Sequence, residues 1–147
     1  MEFSVIDYES PYYPQVLELR NRLLRKPLGL DLFSENLNED RNQYIIVLIR
    51  EEQVIACIMI QILDKDTVKF RQMAVDETQQ RQGLGNMLLG YAENFCVLND
   101  YFTIFLHARK AVHNFYLKAG YTIEGEEFSE VGIPHYKMVK ILPISRT

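Results

Sequence analysis

The stretch Gln80-Arg81-Gln82-Gly83-Leu84-Gly85 sets two glycines just ahead of an apolar stripe, Leu84, Leu88, Tyr91, Ala92 and Phe95, at helical spacing. Lacking Cβ atoms, Gly83 and Gly85 let a ligand approach the main chain closely. The first amides of a helix have no partner inside it and lie at the positive end of its dipole, so this junction suits phosphate oxygens. Immediately upstream, the apolar positions of the run 68–75 are Val68, Phe70, Met73 and Val75, and their parity flips between Phe70 and Met73. Strand side chains alternate strictly, so the flip predicts one extra residue in a β-bulge. A bulge leaves main-chain groups unpaired and available to something other than a neighbouring strand. Farther on, His107 and His135 carry side chains whose usual titration range suits proton transfer near neutral pH.

Positioning these groups requires a strand–turn–helix core with strands on either side. Phe3 to Ile6 reads as a short strand. Pro11 and Pro14 fit a helix start, and Val16, Leu17, Leu19, Leu23 and Leu24 give that helix an apolar face ending before Pro27. Residues 27–42 lack a period and read either as a loop packing its leucines on the core or as a pocket wall. Tyr44 to Ile49 and Val54 to Leu63 form an antiparallel pair that delivers the bulged strand through Asp64-Lys65-Asp66. Thr103 to His107 is the next strand, parallel to the bulged one because a helix lies between them. Val112, Phe115, Tyr116 and Ala119 mark a further helix ended by Gly120. Tyr121 to Phe128 and His135 to Ile141 close the sheet as a hairpin around Ser129 to Pro134. The expected fold is one α/β domain over residues 1–147: a mixed, mostly antiparallel sheet with a bulged, splayed parallel pair and flanking helices.

With 147 residues, 48% hydrophobic and 24% charged, the chain has the composition of a soluble globular protein. No apolar run is long enough to span a bilayer, and no signal peptide is apparent, so a cytoplasmic protein without a membrane partner is expected. A net charge of -4 without a basic stripe argues against nucleic acid as a partner. Cys57 and Cys96 lie in apolar runs and read as buried free thiols, and the histidines and cysteines have no metal-ligand spacing, so no metal is expected.

The pattern Gln80-x-x-Gly83-x-Gly85 after such a strand resembles the acetyl-CoA signature of the GNAT N-acetyltransferase superfamily. Phe115-Tyr116-Leu117-Lys118-Ala119-Gly120-Tyr121 resembles its second motif. Gly132-Ile133-Pro134-His135 before a strand, and the segment 19–30, resemble a smaller branch, the ElaA-like bacterial acetyltransferases. The resemblance implies transfer of an acetyl group from acetyl-CoA to a small-molecule or peptide amine by direct attack in a ternary complex. It places the pantetheine arm on main-chain groups of Met73, Ala74 and Val75, and puts Gln80, Arg81, Gln82, Gly83, Leu84, Gly85, Asn86 and Asn114 at the cofactor. Arg81 adds charge there or is simply solvated. Tyr116 matches the family position for the tyrosine that protonates the leaving thiolate, and the Met73 amide is a candidate donor to the developing oxyanion.

Relatives often use a glutamate as base, where this chain has Ile104 and Gln72. His107, His135 or a water chain is left as the acceptor of the amine proton. Arg109 stands where many relatives carry a cofactor-binding asparagine, and with Lys110 it is a candidate contact for the terminal phosphate of CoA. Glu124, Glu126, Glu127 and Glu130 mark either a solvated strand edge or a site for a cationic acceptor. A homodimer is compatible with the sequence. The competing function is a non-catalytic acyl-CoA sensor or interaction module on the same fold.

Overall fold

The computed structural model describes residues 1–80 and 82–144. An eight-stranded sheet runs in the order β1 (Glu2–Ile6), β2 (Gln43–Arg50), β3 (Gln53–Ile62), β4 (Thr67–Val75), β5 (Thr103–Arg109), β8 (Ile133–Ile141) and β6 (Thr122–Ile123), with β7 (Phe128–Glu130) also on β8. All pairings are antiparallel except β4 with β5. Helix α2 (Leu84–Leu98) supplies the parallel crossover between them, as the sequence predicts.

Alternation along the strands divides the core between two faces. Ile46, Ile58, Ile60, Val68, Phe70, Ile104, Leu106 and Met138 pack under Leu84, Leu88, Leu89 and Ala92 of α2. Ile45, Val47, Cys57, Met59 and Ala74 point the other way, onto Val16 and Leu19 of α1 (Tyr13–Leu24). Helix α1 packs chiefly on β3 and β4. Residues 27–42 form short 3-10 turns. Leu32 is buried, its amide donating to Asn21 Oδ1 at 2.8 Å, and a buried Arg20–Asp40 ion pair of 2.8 Å anchors the far end. Leu30 and Phe33 stay exposed.

The last hairpin differs from its sequence expectation. Tyr121 to Phe128 is not one strand: Thr122–Ile123 and Phe128–Glu130 are separate, and Gly125 at φ 81° breaks the run between them. The reversal is a tight turn at Val131 and Gly132, with φ 48° and 74°, where Glu130 pairs with Ile133. Two successive positive φ values match the twist that a two-residue hairpin needs. This moves Ser129 and Glu130 from the expected loop to the sheet.

Candidate active site

The bulge lies where the parity flip predicts it. Met59 pairs with Arg71 and Cys57 with Ala74, so β4 carries one residue more than β3 across the interval. Gln72 takes up the excess in a left-handed conformation, φ 54°, which is costly for a residue with a Cβ. Val68 and Phe70 before the bulge and Met73 and Val75 after it therefore face the same core. The kink also parts β4 from β5: their ladder runs from Thr67–Thr103 to Phe70–Leu106 and stops. Beyond it a cleft of about 420 Å³ opens, lined by residues from both sheet faces.

On the α2 side the cleft is lined by Met73 and by Tyr116 of α3 (His113–Lys118), whose phenol donates to Met73 Sδ at 3.6 Å. Burial pushes the Tyr116 hydroxyl up to about 12, so it is a protonated donor at neutral pH. A Cβ on Gly85 would stand 3.4 Å from both Met73 Cε and Phe115 Cζ, so this glycine lets α2 close on the bulge. Gly83, at φ 74°, has nothing within 4 Å of its Cβ position.

The α1 side of the cleft holds the titratable groups. His107 Nδ1 lies 3.0 Å from Glu130 Oε1, and His135 Nε2 lies 3.6 Å from Glu130 Oε2. Burial alone would raise the Glu130 carboxyl. The hydrogen bond to His107 and the positive charges of His107, His135 and Lys69 together hold it below the usual carboxylate range. An ionised carboxylate only accepts, so the His107 Nδ1 that faces it carries a proton, which leaves Nε2 as the ring atom where a proton can be taken up or given. His135 Nδ1 faces the Ile133 carbonyl at 2.8 Å and likewise carries a proton. Lys69, Arg71 and Arg109 complete this side, with Leu24 and Arg25 at the end of α1. Of the two readings of residues 27–42, core packing fits the buried Leu32, while Leu24 and Arg25 line this cleft.

Met73, Tyr116, His107 and His135 come together in the cleft. Ala74 is buried with its side chain toward α1, and Val75 sits at the strand end, its carbonyl accepting from Gln80 Nε2 at 2.9 Å. Gln82, Gly83, Leu84, Gly85 and Asn86 form the α2 entrance, and Asn114 is exposed on the first turn of α3, all outside the cleft lining. Arg81 lies outside the described residues. Arg109 turns to the α1 face and donates to the Leu24 carbonyl at 3.4 Å. Its alternation with Ala108, which packs on the α2 side, causes this. Glu124 and Glu127 pair with Lys137 and Lys110 at 3.3 and 2.8 Å, as a solvated edge does. Both buried thiols are pushed up to about 12 by burial, so neither is a nucleophile at neutral pH.

Sequence reasoning passes over Lys69 and Arg71 as site residues, and weighs Glu130 only within the acidic cluster, as a solvated edge or a site for a cationic acceptor. The signal for the two cations was present: 69 and 71 alternate with the apolar 68 and 70, so they share the opposite face.

A family profile described as an acetyltransferase (GNAT) domain matches residues 21–142. Over 74 residues the chain is 31% identical to the uncharacterized protein YyaT of Bacillus subtilis, a match spanning 50% of each protein. Escherichia coli ElaA superposes with a TM-score of 0.82 at 20% identity, over 95% of this chain and 98% of that one. An aminoglycoside 6'-N-acetyltransferase complexed with coenzyme A superposes at 0.82 and 16% identity, over all of both chains. At such identities these two structures attest the fold. Among the described residues no helix is long and apolar enough to cross a membrane. With a family profile matched across most of its length, and a sheet that opens beside a bulge, the chain belongs to the GNAT acetyltransferase family.

Proposed function

We propose that the chain is an N-acetyltransferase that moves an acetyl group from acetyl-CoA to a small-molecule or peptide amine, by direct attack in a ternary complex. The opening between β4 and β5 beyond Phe70 and Leu106 carries this reading, since it frees one edge of a bulged strand for a ligand with amide groups of its own. The surroundings fit CoA: space is open around Gly83, and the helix start beside it favours pyrophosphate oxygens. Amides of Gln82 to Asn86 hold that end. Gln80 fixes the loop to Val75, main-chain groups of Met73, Ala74 and Val75 align the arm, and Asn114 borders the entrance.

Acetyl-CoA supplies an activated thioester carbonyl. The chain contributes the rest. The Met73 amide donates to the carbonyl oxygen as charge gathers there, a contact worth ~3–4 kcal/mol where water is excluded. His107 Nε2 takes the proton released when the amine nitrogen bonds to carbon, and Glu130 holds the ring through Nδ1. His135 completes the carboxylate cluster and is the alternative acceptor. Tyr116 passes its proton to the sulfur as the carbon–sulfur bond breaks and regains one through solvent from the histidine.

Thiol release measured against an amine panel, alongside calorimetric titration with CoA, tests this function. Micromolar CoA binding with amine-dependent thiol release is the expected result. Binding without turnover across the panel would favour the sensor.

A further inference from the structure

The side of the cleft facing α1 is cationic, against the sign of the whole chain, whose net charge is -4. Lys69, Arg71 and Arg109 share this side because they alternate with the core residues Val68, Phe70 and Ala108. Among the described residues none of the three has a carboxylate at ion-pair distance. Arg25, a fourth cation at the rim, is already paired with Glu35 at 2.7 Å. The one carboxylate lining the cleft, Glu130, is engaged by His107. Lys69 is half-buried, and burial with the neighbouring Arg71 charge holds its ammonium below the usual lysine range, opposed by Glu130.

Clustered cations without counter-charges repel one another, and a bound anion relieves that repulsion. The cleft thus offers a receptor for an oxyanion.

From this, and resting on the acetyltransferase reading, we propose that the acceptor is an anionic amine: a small molecule carrying a carboxylate or phosphate a few bonds from the nucleophilic nitrogen. Arg71, Arg109 and Lys69 hold the oxyanion. Polycationic amines, aminoglycosides included, meet like charge here.

The test compares matched pairs, glycine with glycinamide and O-phosphoethanolamine with ethanolamine, beside spermidine and kanamycin. The charged member of at least one pair should exceed its neutral partner by about tenfold in kcat/KM, and the better pair distinguishes carboxylate from phosphate. Arg71→Gln and Arg109→Gln should erase that preference through KM, by about ten- to a hundredfold, while the CoA Kd stays put. Calorimetric binding of the same compounds to CoA-loaded protein decides the matter without turnover: tighter binding of the charged member supports the inference, and equal or absent binding overturns it. Preferred turnover of neutral or cationic amines would overturn it too, yet leave the acetyltransferase reading standing. Loss of CoA binding in the wild type would instead defeat that reading.

Discussion

The Tyr116 hydroxyl stands 3.6 Å from Met73 Sδ, which ties α3 to the bulged strand at the point where β4 leaves β5. The contact brings a proton donor beside the residue proposed to stabilise the carbonyl oxygen. Its pKa, pushed up to about 12 by burial, keeps the phenol protonated across the neutral range. Tyr116→Phe should therefore lower kcat by about 10²–10⁴ with little change in CoA affinity, because only the proton is removed. A kcat within twofold of wild type in a thiol-release assay would exclude Tyr116 as the donor.

In the proposed mechanism Glu130 acts through His107, as a positioning residue. Glu130→Gln keeps an acceptor for Nδ1–H but removes the charge that steadies the protonated ring. The plateau rate should fall by about tenfold, and the acid limb of kcat/KM should move to lower pH, since the imidazolium loses its counter-charge. Glu130→Asp should restore part of both. An unchanged limb in a pH–rate profile from 5 to 9 would mean that the carboxylate serves only the hairpin.

How legible this site is in the sequence depends on the range of the interactions that build it. The bulge is local: the parity of Phe70 and Met73 is fixed by which core they share, so two pairs of apolar residues suffice to place it. Glu130 is not local. It enters the cleft because Val131 and Gly132 adopt successive positive φ values and fold Phe128–Glu130 back onto β8. The sequence there reads equally well as a longer loop, since valine rarely takes that conformation. Position in a motif says nothing about which way Arg109 faces, whereas its alternation with Ala108 does.

Gly83 tests the entrance separately from the chemistry. Its φ of 74° is strained for any residue with a Cβ, although nothing lies within 4 Å of that position. Gly83→Val should cost about 1–3 kcal/mol of stability and weaken CoA binding by at least about tenfold, because the side chain fills the space left for phosphate. Gly83→Ala should show the same pattern more weakly. Calorimetry with CoA, paired with thermal denaturation, separates the two effects; full affinity in a folded Gly83→Val protein would move the phosphate elsewhere.

Cys57 and Cys96 should make the fold lose stability at alkaline pH. Both are fully buried, and burial pushes each thiol up to about 12. In the unfolded chain a thiol titrates near ~8.5. A raised folded-state pKa means that the stabilisation is intact below the unfolded value and is lost as pH climbs toward the folded one. Between about pH 8.5 and 12 the unfolded state sheds protons that the folded state retains, so stability should fall by about 1.4 kcal/mol per pH unit for each thiol once its unfolded form is ionised. Urea denaturation midpoints measured from pH 7 to 11 should stay level to about 8 and then decline. A Cys57→Ala, Cys96→Ala protein starts from a lower stability because it carries cavities, but its decline should begin only near ~10, where the tyrosines of the unfolded chain ionise. Parallel declines in the two proteins would show that the thiols reach solvent, and would undo the packing of Cys57 against α1 on which one face of β4 rests.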